Sequence, residues 1–139
     1  MGKSCAKVAR VLKGKVNHFE LPAKDVKRAQ SFYKDVFEWQ INEMPQMNYT
    51  LLGAATTDGN GRVTEVASIN GGMMERKAPF TGPVVTITVE DIDKALKDVE
   101  KHGGKSMGPK QEVPTMGWSA YFWDPEGNLM GLFQSTMPM

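Results

Sequence analysis

A short alternating stretch followed by an amphipathic helix pattern occurs twice in this chain, sixty-six positions apart. Asn17-His18-Phe19-Glu20-Leu21 stands against Pro83-Val84-Val85-Thr86-Ile87. The first helix pattern carries Val26, Ala29, Phe32, Tyr33 and Val36 at spacings of three and four; the second carries Ile92, Ala95, Leu96 and Val99. One offset takes Asp25 to Asp91, Val26 to Ile92, Ala29 to Ala95, Tyr33 to Val99, Asp58 to Asp124 and Gly61 to Gly127. Asp25 and Asp91 each stand where a carboxylate accepts from the unpaired N–H groups that open a helix. A unit held in register across strand, helix and turn is a duplicated supersecondary unit. Each copy is only about sixty residues, marginal as an independent fold. The two halves are therefore expected to share their cores within one domain.

More strands follow each helix. In the first half, Tyr49 to Ala55 reads as a strand, Asp58-Gly59-Asn60-Gly61 as a turn and Val63 to Ile69 as the return strand. In the second half, Trp118 to Trp123, the turn Asp124-Pro125-Glu126-Gly127-Asn128 and Leu129 to Phe133 repeat the arrangement. Weaker strands fall at Trp39 to Glu43 and Lys105 to Met107, and Gly103-Gly104 stops the second helix. The reading is α+β: two βαβββ modules in tandem, 15–74 and 82–135, joined by a linker at 75–81. A basic arm (1–14) precedes them and a short tail (136–139) follows. A ferredoxin-like sandwich is the alternative, but it lacks the third and fourth strand of each half.

Seventeen basic against sixteen acidic residues leave a formal charge of only +1, which argues against nucleic acid as the main partner. No apolar run has the length of a membrane span, and the basic start lacks the continuous apolar stretch of a secretory signal. A cytoplasmic protein is expected. Cys5 is the single cysteine, so neither a disulfide framework nor a Cys-rich zinc site is expected.

Alternation puts Val16, His18 and Glu20 on one face of the first strand, and Asn17, Phe19 and Leu21 on the other. In the matching strand, Val84, Thr86 and Thr88 oppose an apolar face of Val85, Ile87 and Val89. The apolar faces belong under the helices. His18, Glu20, Thr86 and Thr88 then share equivalent polar faces of two related strands. His18 beside Glu20 reads either as an acid–base pair, the carboxylate raising the imidazole pKa, or as a hydrogen-bonded interior histidine. In the strand from Trp118, one of two alternating sets (Trp118, Ala120, Phe122 or Ser119, Tyr121, Trp123) is core and the other is free to line a ligand site. The stretch from Pro109 to Gly117 reads either as a lid or as an ordinary connection. His102, at a helix end, reads as a surface or capping residue.

The run His18-Phe19-Glu20-Leu21-Pro22, then Arg28-Ala29 and Phe32-Tyr33-Lys34-Asp35-Val36-Phe37, resembles the opening module of the glyoxalase / bleomycin-resistance / extradiol-dioxygenase (vicinal oxygen chelate) superfamily. Val89-Glu90-Asp91-Ile92-Asp93-Lys94-Ala95 resembles the start of its second helix, and Tyr121 to Leu132 its closing hairpin. The resemblance covers roughly residues 15 to 135 and implies curved sheets around a cleft, a small-molecule ligand and frequent homodimers. It also implies, in many members, a divalent metal held by one residue from the first strand and one from the last strand of each module, acting as a Lewis acid.

Carried over by position, those ligands fall on His18, Val84, Gly131 and a fourth place that is either Glu65, by gapless offset, or Gly72, by local character. Gly72 is favoured, since glycine followed by an apolar residue then closes both modules. Val84 and the glycines have no donor, whereas catalytic metals usually keep three or more protein ligands. The expectation is a member that binds a small molecule without a cofactor, through His18, Glu20, Thr86, Thr88, Trp118, Tyr121 and Gly131, with His18 and Glu20 as the candidate catalytic pair. The alternative is a metal-dependent lyase, isomerase or dioxygenase holding one weakly bound divalent metal on His18 and Glu65.

Overall fold

Strand β1 (Lys15–Ala23) is the seam of the molecule. The computed structural model describes residues 14–55 and 68–136. The basic arm with Cys5, the Asp58–Gly61 turn, Glu65 and residues 137–139 lie outside the described residues. After β1 come α1 (Val26–Phe37), β2 (Gln40–Met44), a single 3-10 turn, β3 (Tyr49–Gly53) and β4 (Asn70–Glu75). The second half holds β5 (Val84–Thr88), α2 (Ile92–Lys101), β6 (Lys105–Ser106), β7 (Gln111–Val113), β8 (Gly117–Trp123) and β9 (Leu129–Ser135). The sheet runs β2-β3-β4-β1-β5-β9-β8-β6, with β7 paired on β8. The first half is thus a βαβββ module and the second repeats it with one additional short strand, β7; the modules join edge to edge where β1 and β5 pair antiparallel.

That seam carries a local two-fold relation. His18 faces Thr86 and Glu20 faces Val84, so exchanging the strands exchanges His18 with Val84 and Glu20 with Thr86. Within the modules, β1 pairs parallel with β4, Glu20 beside Gly72, and β5 pairs parallel with β9, Thr86 beside Gly131. Gly72 and Gly131 are therefore corresponding positions, as local character suggested and as the gapless offset to Glu65 did not. The repeat keeps its spacing through the first strands and helices and loses it afterwards, because the β3–β4 connection is longer than the turn between β8 and β9.

Both helices start as the sequence dictates. The side chain of Asp25 accepts from the Arg28 N–H and that of Asp91 from the Lys94 N–H, satisfying donors that the first turn leaves unpaired. Each helix covers its own module. Under α1, Ala23, Leu52 and Met73 form a buried cluster flanked by Phe19, Leu21 and Trp39. Under α2, Ile92, Leu96, Ala120, Phe122 and Leu132 form another. Ile92 is fully buried, worth about 1.5–3 kcal/mol by transfer from water. The expected shared core is thus corrected to two cores, one per helix, because the edge-to-edge seam leaves each helix over its own half. Gln30, buried on α1, donates to Thr50 Oγ1 (2.8 Å) and to Glu43 (3.1 Å), so the buried amide is satisfied.

Several boundaries differ from expectation. The return strand of the first module is β4 at Asn70–Glu75; Ser68 and Ile69, placed in a strand by pattern, carry none. Gly71-Gly72 has poor strand propensity, which hid it, but pairing on both sides by β1 and β3 overrides propensity. A bulge at Asn17 shifts register between Val16 and His18, so Val16 leaves the face of His18, and Asn17 instead accepts from the Thr88 hydroxyl (2.6 Å). The stretch from Pro109 to Gly117 is no simple lid: β7 is hydrogen-bonded to β8 along it. His102 ends α2 exposed, its ring Nδ1 2.9 Å from the Asp98 carbonyl.

Candidate functional site

Glu20 sits near the middle of the β1 inner face, the face turned away from both helices, and is only 6% exposed. Burying a carboxylate is costly unless it is hydrogen-bonded. Two phenols supply the bonds. Tyr121, from β8, donates to Glu20 Oε1 at 2.6 Å, and Tyr49, from β3, donates to Oε2 at 2.6 Å. His18 Nε2 lies 3.0 Å from the Tyr49 hydroxyl. Because Tyr49 spends its proton on Glu20, its oxygen accepts from His18, which fixes the imidazole as the Nε2–H tautomer. The order is His18, Tyr49, Glu20, Tyr121.

Electrostatics follow from burial. Burial pushes the His18 pKa below the usual histidine value, opposed only in part by the Glu20 charge. The carboxylate raises this pKa as expected, but desolvation is the larger effect and the net shift is downward; Tyr49 stands between the two groups. Both tyrosines are pushed above the ordinary phenol range, by burial first and then by the charge and hydrogen bond of Glu20. A phenol that must hold its proton to bond a carboxylate resists losing it.

Two glycines make room for this arrangement. A Cβ on Gly72 would lie 1.7 Å from the Tyr49 hydroxyl oxygen, so the Tyr49 ring crosses directly over that backbone. A Cβ on Gly131 would lie 2.8 Å from Thr86 Oγ1 and 3.5 Å from the Tyr121 ring. Thr86 and Thr88 are buried on the same face, across the seam. Trp118 is corrected: it lies on the opposite face of β8 from Tyr121, packed against the α2 cluster, with Lys110 Nζ 4.7 Å from its ring centroid. The register that sequence left open is thus resolved with Ser119, Tyr121 and Trp123 inward and Trp118, Ala120 and Phe122 on the core side.

Sequence reasoning passed over two participants. In the sequence Tyr49 reads only as the start of a strand. The available signal was its alternation against the buried Thr50 and Leu52, opposite a strand with two glycines. Phe80, in the linker, packs edge-on against Tyr121 at 4.8 Å between centroids. A connecting segment gives no periodicity from which to find it.

The donor set does not fit the superfamily's metal. Of the four corresponding positions, Val84, Gly72 and Gly131 offer no side-chain donor. The fourth, His18, already spends Nε2 on Tyr49. The ring of Tyr49 fills the space a side chain at 72 would need. Among the described residues no group of three or more His, Cys, Asp or Glu is placed to hold a metal ion.

Comparison with known proteins agrees with this fold. A "Glyoxylase-like domain-containing protein" from Didymella fabae is 33% identical over 132 residues, covering 85% of this chain and 91% of that protein. CFP32 of Mycobacterium tuberculosis, provisionally named a glyoxylase, is 26% identical over 132 residues; this chain spans 46% of its length. Among solved structures, a methylmalonyl-CoA epimerase from Streptomyces coelicolor superposes with a TM-score of 0.66 at 14% identity, covering 91% of this chain and all of that one. At that identity the likeness shows the fold alone. The family profile described as Glyoxalase/Bleomycin resistance protein/Dioxygenase superfamily matches residues 15–132, and this chain belongs to that superfamily.

Proposed function

We propose that this protein is a small-molecule-binding member of its superfamily that works without a bound metal ion, its ligand seated on the inner sheet face over His18, Glu20 and Tyr121. The observation that carries this reading is Tyr49 lying across Gly72: the space of a metal-binding side chain is taken by a phenol that also engages Nε2 of the one surviving histidine. Thr86, Thr88 and Gly131 supply the opposing wall. Tyr121, held by Phe80, presents an aromatic surface. His18, Tyr49 and Glu20 also form a chain of hydrogen bonds along which a proton can pass, so His18 and Glu20 are the groups for any proton-transfer step.

Elemental analysis of the purified chain after dialysis tests the reading. Less than a tenth of an equivalent of Zn, Ni, Mn or Fe is expected, and no change in thermal stability on adding those ions. One equivalent retained through dialysis, and lost in His18→Ala, overturns it in favour of a metal centre on His18. The homodimer implied by the family resemblance is a separate proposal, checked by sedimentation equilibrium.

A further inference from the structure

The network around Glu20 has a definite hydrogen-bond polarity. Both phenolic protons are committed to the carboxylate, and the Nε2 proton of His18 is committed to Tyr49. What these four residues have left to offer is lone pairs: on the Glu20 oxygens, on the Tyr121 hydroxyl and on His18 Nδ1. The carboxylate is buried, yet among the described residues no lysine, arginine or histidine forms an ion pair with it; the two ion pairs, Lys27 with Glu43 and Lys110 with Asp93, lie elsewhere. A buried charge satisfied only by neutral hydroxyls is electrostatically uncompensated. Beside it stand the rings of Tyr49 and Tyr121, with Phe80 packed on Tyr121, and aromatic faces attract cations.

Resting on the metal-independent reading above, we propose that the inner-face site selects organic cations, protonated amines above all, with the ammonium on Glu20 and the apolar body against Tyr121 and Phe80. An ammonium brings donors where the four-residue network offers only acceptors, and it neutralises the carboxylate. A neutral alcohol supplies one donor and no charge. A carboxylate ligand meets repulsion and no free donor within the network. The same polarity disfavours reactions that need an oxyanion stabilised by Tyr49 or Tyr121, because neither has a spare proton.

Three probes of one shape separate these cases: benzylammonium, benzyl alcohol and benzoate, titrated calorimetrically into the full chain at pH 7 and low salt. Benzylammonium should bind at least tenfold more tightly than benzyl alcohol, with benzoate weakest. Its affinity should fall with added salt while that of the alcohol stays constant. Glu20→Gln should bring cation and alcohol within twofold of each other. Where that variant fails to fold, the ranking in the unmodified chain decides. There, benzylammonium should move the ring resonances of His18 and leave those of His102, the only other histidine, in place. Equal or tighter binding of the alcohol or benzoate, no benzylammonium binding at millimolar concentration, or a cation preference that survives Glu20→Gln overturns the proposal. Any of these results in a metal-free protein leaves the metal-independent reading standing; a retained metal equivalent removes both.

Discussion

Replacing Gly72 by alanine tests the packing on which the site depends. The three atoms nearest the added methyl all belong to Tyr49: its hydroxyl oxygen at 1.7 Å, Cζ at 2.0 Å and Cε2 at 2.4 Å. No adjustment of a few tenths of an ångström relieves such overlap, so the ring must swing away. In doing so it gives up its bond to Glu20 and its bond from His18. A hydrogen bond to a charged group contributes about 1.5–3 kcal/mol and a neutral one about 1 kcal/mol. Replacing glycine by alanine returns about 0.4–1 kcal/mol by restricting the unfolded chain. The net cost is about 2–3 kcal/mol, or roughly 8–12 °C in Tm for a domain of this length. Urea unfolding followed by tryptophan fluorescence measures it. The decisive comparison repeats Gly72→Ala in a Tyr49→Ala background, where the methyl has no ring to meet. There it should be neutral or slightly stabilising, giving a coupling of about 2–4 kcal/mol. Equal costs in both backgrounds, or a cost under about 0.5 kcal/mol in the unmodified chain, would refute the claim that Gly72 exists to seat Tyr49.

Gly117→Ala should destabilise by about 3 kcal/mol or more, because its Cβ would lie 1.9 Å from the Gln134 carbonyl oxygen and paired backbone cannot step aside as a side chain can; thermal unfolding reads the loss. His18 has a folded pKa below its unfolded value of about 6.5, so its contribution is fully present above that pH and is lost as pH falls below it towards the folded value. The stability measured by urea unfolding should therefore fall as pH drops below about 6.5, by at most about 1.4 kcal/mol per pH unit from this residue, and His18→Gln should flatten that limb; an unchanged slope counts against a buried neutral imidazole. Tyr49 and Tyr121 have folded pKa values above the unfolded value of about 10, so their contribution is complete below that pH and declines above it. In an alkaline titration at 295 nm, the full amplitude of the chain's three tyrosines should appear only with unfolding; full ionisation in the native state near pH 10 would contradict the clamp on Glu20.

What the sequence made legible follows the kinds of force involved. The helices, their aspartate caps and the first strands of both modules were readable because each is specified locally, by periodicity of 3.6 or 2 and by a side chain meeting the first turn. The pairing of His18 and Glu20 on one face was readable for the same reason, since two residues in a strand share a face whatever lies around them. β4 was misplaced because Gly71-Gly72 carries no strand preference of its own: its extended conformation comes from β1 and β3 on either side. The bulge at Asn17 escapes because one extra residue in a pairing leaves no compositional mark, yet it takes Val16 off the face of His18. Trp118 and Tyr121 could be separated only by register. The role of Tyr49 depends on a neighbour 23 positions away having no side chain. The superfamily's architecture therefore survives in local signals, whereas its chemistry is set by long-range vacancies. Two glycines at corresponding ends of β4 and β9 withdraw donors from the metal positions, and at one of them a tyrosine moves in to hold the remaining carboxylate and histidine. Tyr49 and Tyr121 converge on Glu20 from separate strands of the two modules, and that convergence is the feature of this face that supports the proposed ligand site.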